Sequence, residues 1–206
     1  MIILGLTGSI GMGKSTTAGF FAENGAMIWN ADEAVHRLYA KGGAAVDMIA
    51  EAFPTAVVDG AVDRHLLAAA LGQDPEAFGT LEMIVHPLVG LDRANALAMA
   101  REDGTKLTVL DIPLLFETGG DAHVDAVVVV SAPADIQAQR VLKRPGMTQE
   151  RLNAILSRQL SDGEKRQRAD FIINTGEGLE RARQQVEAVV KTVLDPAWTS
   201  PRRMGQ

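Results

Sequence analysis

Five short apolar runs separated by helical stretches predict an α/β chain, a five-stranded parallel sheet flanked on both faces by helices. Two further observations support this. The runs are nearly continuous in Ile, Leu and Val rather than alternating, the pattern of strands covered on both sides. A glycine-rich turn joins the first run to the first helical stretch.

In chain order, IILGLT (2–7) is the first strand. KSTTAGFFAENG (14–25) follows as a helix stopped by Gly25. AMIW (26–29) is the second strand. Residues 31–43 carry Val35, Leu38 and Tyr39 at helical spacing, and 44–53 continues helically. DGAVDRHLLAAALG (59–72) opens with a turn and becomes a helix, and 74–104 reads as two or three helices interrupted at Pro87. LTVLDI (107–112), DAVVVVSA (125–132) and DFIINT (170–175) complete the sheet. The stretch 134–169 is helical and basic. Residues 178–194 form a closing amphipathic helix with Leu179, Ala182, Val186, Val189, Val190 and Val193 on one stripe. The segment 195–206, with two prolines, is expected to be a flexible tail.

A chain of 206 residues, 47% apolar, supports one substantial core with an inserted subdomain. Only 4% is aromatic, so that core is aliphatic. The net charge of -6 argues against a broad nucleic-acid-binding surface. The absence of cysteine excludes disulfides, thiolate metal sites and a cysteine nucleophile, and fits a reducing compartment. No apolar run is long enough for a membrane span, and MIILGLTGS reads as a core strand rather than a basic leader. The expected setting is cytoplasmic.

GSIGMGKST (8–16) matches G-x-x-x-x-G-K-[ST] through Ser15, between a strand and a helix as that pattern requires. Gly8, Gly11 and Gly13 let the backbone of Ser9, Ile10 and Met12 turn its N–H groups around phosphate oxygens. Lys14 reaches the β- and γ-phosphates, Ser15 joins a Mg²⁺ shell, and Thr16 continues the helix N-terminus. A glycine turn with an accidental Lys-Ser is the weaker reading of four fixed positions in this context. The loop specifies a nucleoside triphosphate, not a reaction. Asp111, at the end of a buried strand, either holds a magnesium-bound water or caps the turn before Pro113.

A GTPase would carry N-K-x-D, which is absent. A nucleic-acid motor would be larger. A small-molecule kinase needs an acceptor pocket, mobile arginines and exclusion of water. Residues 140–168 hold eight Lys or Arg against three Asp or Glu. Arg140 and Arg144, four apart, share a helix face, and RPGM (144–147) makes a turn. This segment reads as a lid; a solvated basic helix is the alternative. The core is then 1–32 and 105–194, the acceptor-binding region 33–104, and the lid region 140–168.

GLTGSIGMGKST, NAD, DGAVDR, LEMIVHP, PLLFE and QRVLKR, in that order, resemble the dephospho-CoA kinase family over Ile3 to roughly Leu194. The resemblance implies a P-loop kinase-like core with a helical substrate-binding insertion and a lid. It implies ATP and Mg²⁺, and transfer of phosphate to the ribose 3′-hydroxyl of dephospho-CoA, with neither nucleic acid nor membrane as partner. Monomer and small homo-oligomer both stay open. By the same resemblance Asp32 receives the acceptor's proton, with capping of the following helix as its alternative. Arg140 and Arg144 match the lid arginines, and Asn174 a base-side asparagine. Arg64, His86, His36, Leu114, Phe116 and Glu117 fall on the acceptor side. The family reads Asp-Ala-Asp where this chain reads Asn30-Ala31-Asp32, and an amide neither takes a proton nor adds charge. Another small-molecule or nucleoside monophosphate kinase, or a regulatory P-loop protein, are the competing readings.

Overall fold

The structure, a computed structural model, describes residues 1–72 and 74–202. In chain order these form β1 (Ile2–Thr7), α1 (Lys14–Glu23), β2 (Met27–Asn30), α2 (Ala31–Tyr39) and α3 (Val46–Ala52). Next come β3 (Val57–Val58), β4 (Ala61–Val62), α4 (Arg64–Leu71), α5 (Pro75–Glu102) and β5 (Leu107–Asp111). The chain closes with β6 (Ala126–Ser131), α6 (Ala134–Leu142), α7 (Gln149–Leu156), α8 (Asp162–Gln167), β7 (Phe171–Asn174) and α9 (Leu179–Val193). It divides into two compact units, Met1–Trp29 with Ala100–Gln206, and Asn30–Met99. The breaks fall a few residues before those expected at 32 and 104.

The first unit is built on a parallel five-stranded sheet in the order β2-β5-β1-β6-β7. β1 is central because its side chains are apolar on both faces, and Ile3, Leu4 and Leu6 are buried. β6 consists of valines that suit a pleated, covered surface, and Val127 to Val130 are fully buried. Phe20 and Phe21 of α1 and Ala182, Val186, Val190 and Val193 of α9 belong to the same apolar core. Leu179 was expected on that stripe, but it is exposed. It sits at the first helical position, and the packed stretch starts only at Ala182. The second unit has its own core, with Leu38, Tyr39, Ile49, Phe53, Leu67 and Ile84 among its members.

Three further expectations change. First, α5 runs unbroken through Pro87. Pro87 and Met83, four residues earlier, lie on the exposed face, where water can take the hydrogen bond that the ring removes. Second, the turn at 59–60 closes a hairpin, pairing Val57 with Val62 and Val58 with Ala61. Asp59 and Gly60 have φ of 51° and 79°, the positive pair that a two-residue hairpin turn favours. Third, the tail is packed through Arg202. Trp198 joins the core, and Ser200 Oγ donates to Asp125 O at 2.7 Å. The Arg202 guanidinium donates to Asp170 at 2.5 Å, Asp121 at 3.2 Å and Arg168 O at 2.6 Å. Residues 203–206 lie outside the described part.

Phe21 is fully buried and ties α1 to the sheet. Phe21→Ala is expected to lower stability by about 3–5 kcal/mol. The check is a lower urea midpoint at unchanged slope.

Candidate active site

The glycine loop leaves the C-terminal end of β1, where its two neighbours end beside it: Leu6 is in register with Asp111 of β5, and Thr7 with Val129 of β6. Open parallel sheets bind ligands at such an edge. A side chain at Gly8 would place its Cβ 2.5 Å from Val130 O, so the strand can bend away here only without one. Gly13 precedes α1 at φ 91°, a left-handed conformation that L side chains rarely adopt. α1 then begins with Lys14, Ser15 and Thr16, whose amides have no helical partner and lie at the positive end of the helix dipole. Lys14 Nζ donates to Asp111 Oδ1, and Asp111 is only 1% exposed. In register and charge, Asp111 is therefore the counter-ion of the loop lysine.

Side chains from elsewhere in this unit grip the loop from outside. Gln137 Nε2, on α6, donates to Ile10 O at 2.8 Å, and Arg140, one turn later, approaches Gly11 O at 3.5 Å. Thr175, just past β7, donates its hydroxyl to Met12 O at 2.7 Å. Ile10 N–H donates to Gln159 Oε1 at 3.3 Å. Arg140 also donates to the hydroxyl and carbonyl of Thr175, both at 2.8 Å. Arg140, expected as a lid arginine, contacts the loop and Thr175, while Arg144 is exposed in the turn after α6. Sequence reasoning passed over Gln137, Gln159 and Thr175; a polar residue in a helix or turn carries no local mark of the distant carbonyl it meets.

The chain after β5 is also pinned. Pro113 O accepts from Thr7 Oγ1 at 2.9 Å and from Lys165 Nζ at 3.1 Å. Lys165, on α8, is fully buried and pairs with Glu117 Oε1 at 2.8 Å; that oxygen also accepts Leu160 N–H at 2.9 Å. Burial pushes the Glu117 carboxyl up, but the Lys165 and backbone hydrogen bonds with the Lys165 charge outweigh it. Its pKa lies below the ordinary glutamate value. Glu117, expected on the acceptor side, holds α8 through this pair. Phe116 is buried with the Arg168 guanidinium 4.2 Å from its ring, whereas Leu114 is exposed. Lys165 was counted in the basic run, with nothing in the sequence to mark it as buried.

Asn174 ends β7 in register with Ser131. Its Oδ1 accepts Gly176 N–H at 2.9 Å and its Nδ2 donates to Glu177 at 2.8 Å, so its carboxamide shapes the turn after the strand. Ser131, Pro133, Arg166 and Asn174 help line a cavity of about 300 Å³ there.

In the second unit, Asn30 is the N-cap of α2, its side chain accepting Glu33 N–H at 3.0 Å. Asp32, one residue into the helix, is exposed and is not the cap. His36 lies exposed in the last turn of α2. Arg64 begins α4 with its guanidinium 5.7 Å from the Tyr39 ring, and Asp63 caps that helix. His86 lies with Glu82 and Met83 along an open groove on α5.

Among the described residues no three His, Asp or Glu side chains cluster as a metal site. A Mg²⁺ shared with phosphates needs only one or two protein ligands. The exposed Ser15 hydroxyl and the Asp111 carboxylate provide that donor set. No helix among the described residues is long and apolar enough to cross a membrane.

A central strand, glycine loop, lysine-led helix and neighbouring strand carboxylate define a P-loop kinase-like protein. The family model for dephospho-CoA kinase matches residues 2–180. A dephospho-CoA kinase of Mesorhizobium japonicum is 58% identical over 92% of this chain and 95% of its own. Two solved structures share the fold: a Thermus thermophilus protein (34% identity, TM-score 0.75, 92% of this chain and 96% of that one) and a Campylobacter jejuni dephospho-CoA kinase (25%, 0.69, 93% and 96%). The chain belongs to the dephospho-CoA kinase family.

Glu117→Ala leaves the buried Lys165 ammonium without its counter-charge and is expected to cost about 3–5 kcal/mol at neutral pH. Adding Lys165→Met should recover part of that loss. Because the folded carboxyl titrates below its ordinary value, its stabilisation is fully present well above about pH 4.3 and is lost as pH falls through the lowered folded value. Denaturant titrations of all three proteins from pH 7 to pH 3 should show the wild-type advantage shrinking along that limb.

Proposed function

We propose that this chain transfers the γ-phosphoryl group of ATP to the ribose 3′-hydroxyl of dephospho-CoA, giving CoA and ADP. The observation that carries phosphoryl transfer is the phosphate loop with Lys14 set against Asp111 at the ends of β1 and β5. The choice of acceptor is supported by the likeness to the Mesorhizobium japonicum enzyme over nearly the whole chain.

The bond between the γ-phosphorus and the β–γ bridging oxygen breaks as one forms to the ribose 3′-oxygen. The acceptor's proton passes to Asp32. That carboxylate suits the task because Asn30 takes over the capping of α2. Lys14 exchanges Asp111 for the β- and γ-phosphates when the nucleotide enters. Ser15 and Asp111 would hold Mg²⁺, which when bound neutralises charge developing on the phosphate oxygens. Arg144 supplies a cation to the transferring group, and Arg140 supports the loop beneath it. Arg64 and His86 serve the acceptor, with Arg64 suited to a phosphate and His86 to a hydrogen bond. His36 and Leu114 are further acceptor-side residues.

Purified protein given ATP, Mg²⁺ and dephospho-CoA, with AMP and adenosine as competing acceptors, should form CoA. A folded, ATP-binding protein that forms none refutes the assignment. Asp32→Asn should reduce kcat by about 10²–10⁴-fold while leaving ATP affinity near wild type. An unchanged rate would remove Asp32 from proton transfer.

A further inference from the structure

The phosphate loop contains backbone groups of both signs. In a planar trans peptide the carbonyl of one residue points opposite to the N–H of the next. Whatever holds the Met12 carbonyl therefore aims the Gly13 N–H, and whatever holds the Ile10 carbonyl aims the Gly11 N–H. Among the described residues neither the Gly11 nor the Gly13 N–H has an acceptor. Both opposed carbonyls are engaged from outside the loop, at 2.7 Å by Thr175 Oγ1 and at 2.8 Å by Gln137 Nε2.

We propose that Thr175 and Gln137 are positioning residues of the nucleotide site, which turn the Gly13 and Gly11 N–H groups toward the bound phosphates before the nucleotide arrives. The inference rests on the reading of this loop as the ATP site. Thr175 is nearly buried, and its hydroxyl sits among three groups. It accepts from Arg140 Nη1 at 2.8 Å, and its single proton goes to Met12 O at 2.7 Å rather than to Ser131 O at 3.4 Å. The backbone of Thr175 is fixed as well, its N–H donating to Ser131 O at 2.9 Å and its carbonyl accepting Arg140 Nη2 at 2.8 Å. Its side chain lies 3.4 Å from where a Cβ on Gly13 would sit, so it packs against the residue that it orients.

Gln137 is equally buried and stands three residues before Arg140, on the same face of α6. Three successive carbonyls, Ile10, Gly11 and Met12, are thus met in turn by Gln137, Arg140 and Thr175. A carbonyl oxygen freed from this grip can swing inward and face the phosphates with like charge. The chemistry recognised is that of a nucleoside di- or triphosphate, and the gain is preorganisation, an anion site that needs no peptide rotation on binding.

Thr175→Val removes the hydroxyl at nearly constant shape, Thr175→Ser keeps it, and Gln137→Leu removes the second grip independently. Each is compared with wild type by calorimetric ADP binding and by KM and kcat. Thr175→Val and Gln137→Leu should each weaken ADP and raise KM for ATP about tenfold, with KM for the acceptor unchanged. Thr175→Ser should bind as wild type does. Wild-type ADP affinity in either truncated variant overturns the proposal, as do a Thr175→Ser as weak as Thr175→Val and an equal rise in KM for both substrates. If Thr175→Val does not fold, Gln137→Leu decides alone. A wild type that binds ADP but makes no CoA refutes the acceptor assignment and leaves this inference standing; one that binds no ADP refutes both.

Discussion

A backbone loop accepts an anion only if its carbonyl oxygens are turned away and held there. The constraint is electrostatic: every peptide brings one partial negative charge for each N–H it offers. In this chain the loop after β1 cannot meet it alone, because glycines permit the necessary turns without enforcing them. Enforcement comes from α6 and from the end of β7, elements more than a hundred residues away. Those elements are in reach because β6 and β7 pair beside β1 in the sheet. The strand order therefore decides whether the glycine motif becomes a site.

Two lysines show how burial divides charged groups by task. Lys14 and Lys165 each pair with a carboxylate near the end of β5. Lys165 is wholly buried, and its ammonium also bonds to Pro113 O. Removing it from both partners would strand a charge in a low-dielectric interior, so it stays. Lys14 is 14% exposed and opens onto the loop, so an incoming phosphate can replace its carboxylate. The two pairs look alike by distance and differ in access to solvent.

The Asn30 position follows the same economy of means. A helix N-cap needs an acceptor oxygen, and asparagine provides one as well as aspartate does. With Asn30 capping α2, the start of the helix carries no extra charge there, and Asp32 has no capping duty. The departure from the family's Asp-Ala-Asp leaves the turn whole. Its electrostatic effect is confined to the loss of one negative charge beside the carboxylate retained.

By itself the sequence determined the five-strand α/β class, the phosphate loop, the strand-end Asp111 and the family, because each is written in contiguous residues. Apolar runs, glycine spacing and helix stops are local signals, and β1, α1, β5, β6 and α9 came out close to their observed limits. Tertiary structure alone decided that Leu179 is exposed, that α5 continues past Pro87, that the tail packs through Arg202, and that Glu117 pairs with a buried Lys165. It also decided which polar residues shape the loop. Gln137, Thr175 and Lys165 have ordinary side chains in ordinary sequence surroundings. Their roles come from carbonyls and carboxylates that only folding brings within 3 Å or so of them, and no local pattern records a partner that distant in the chain.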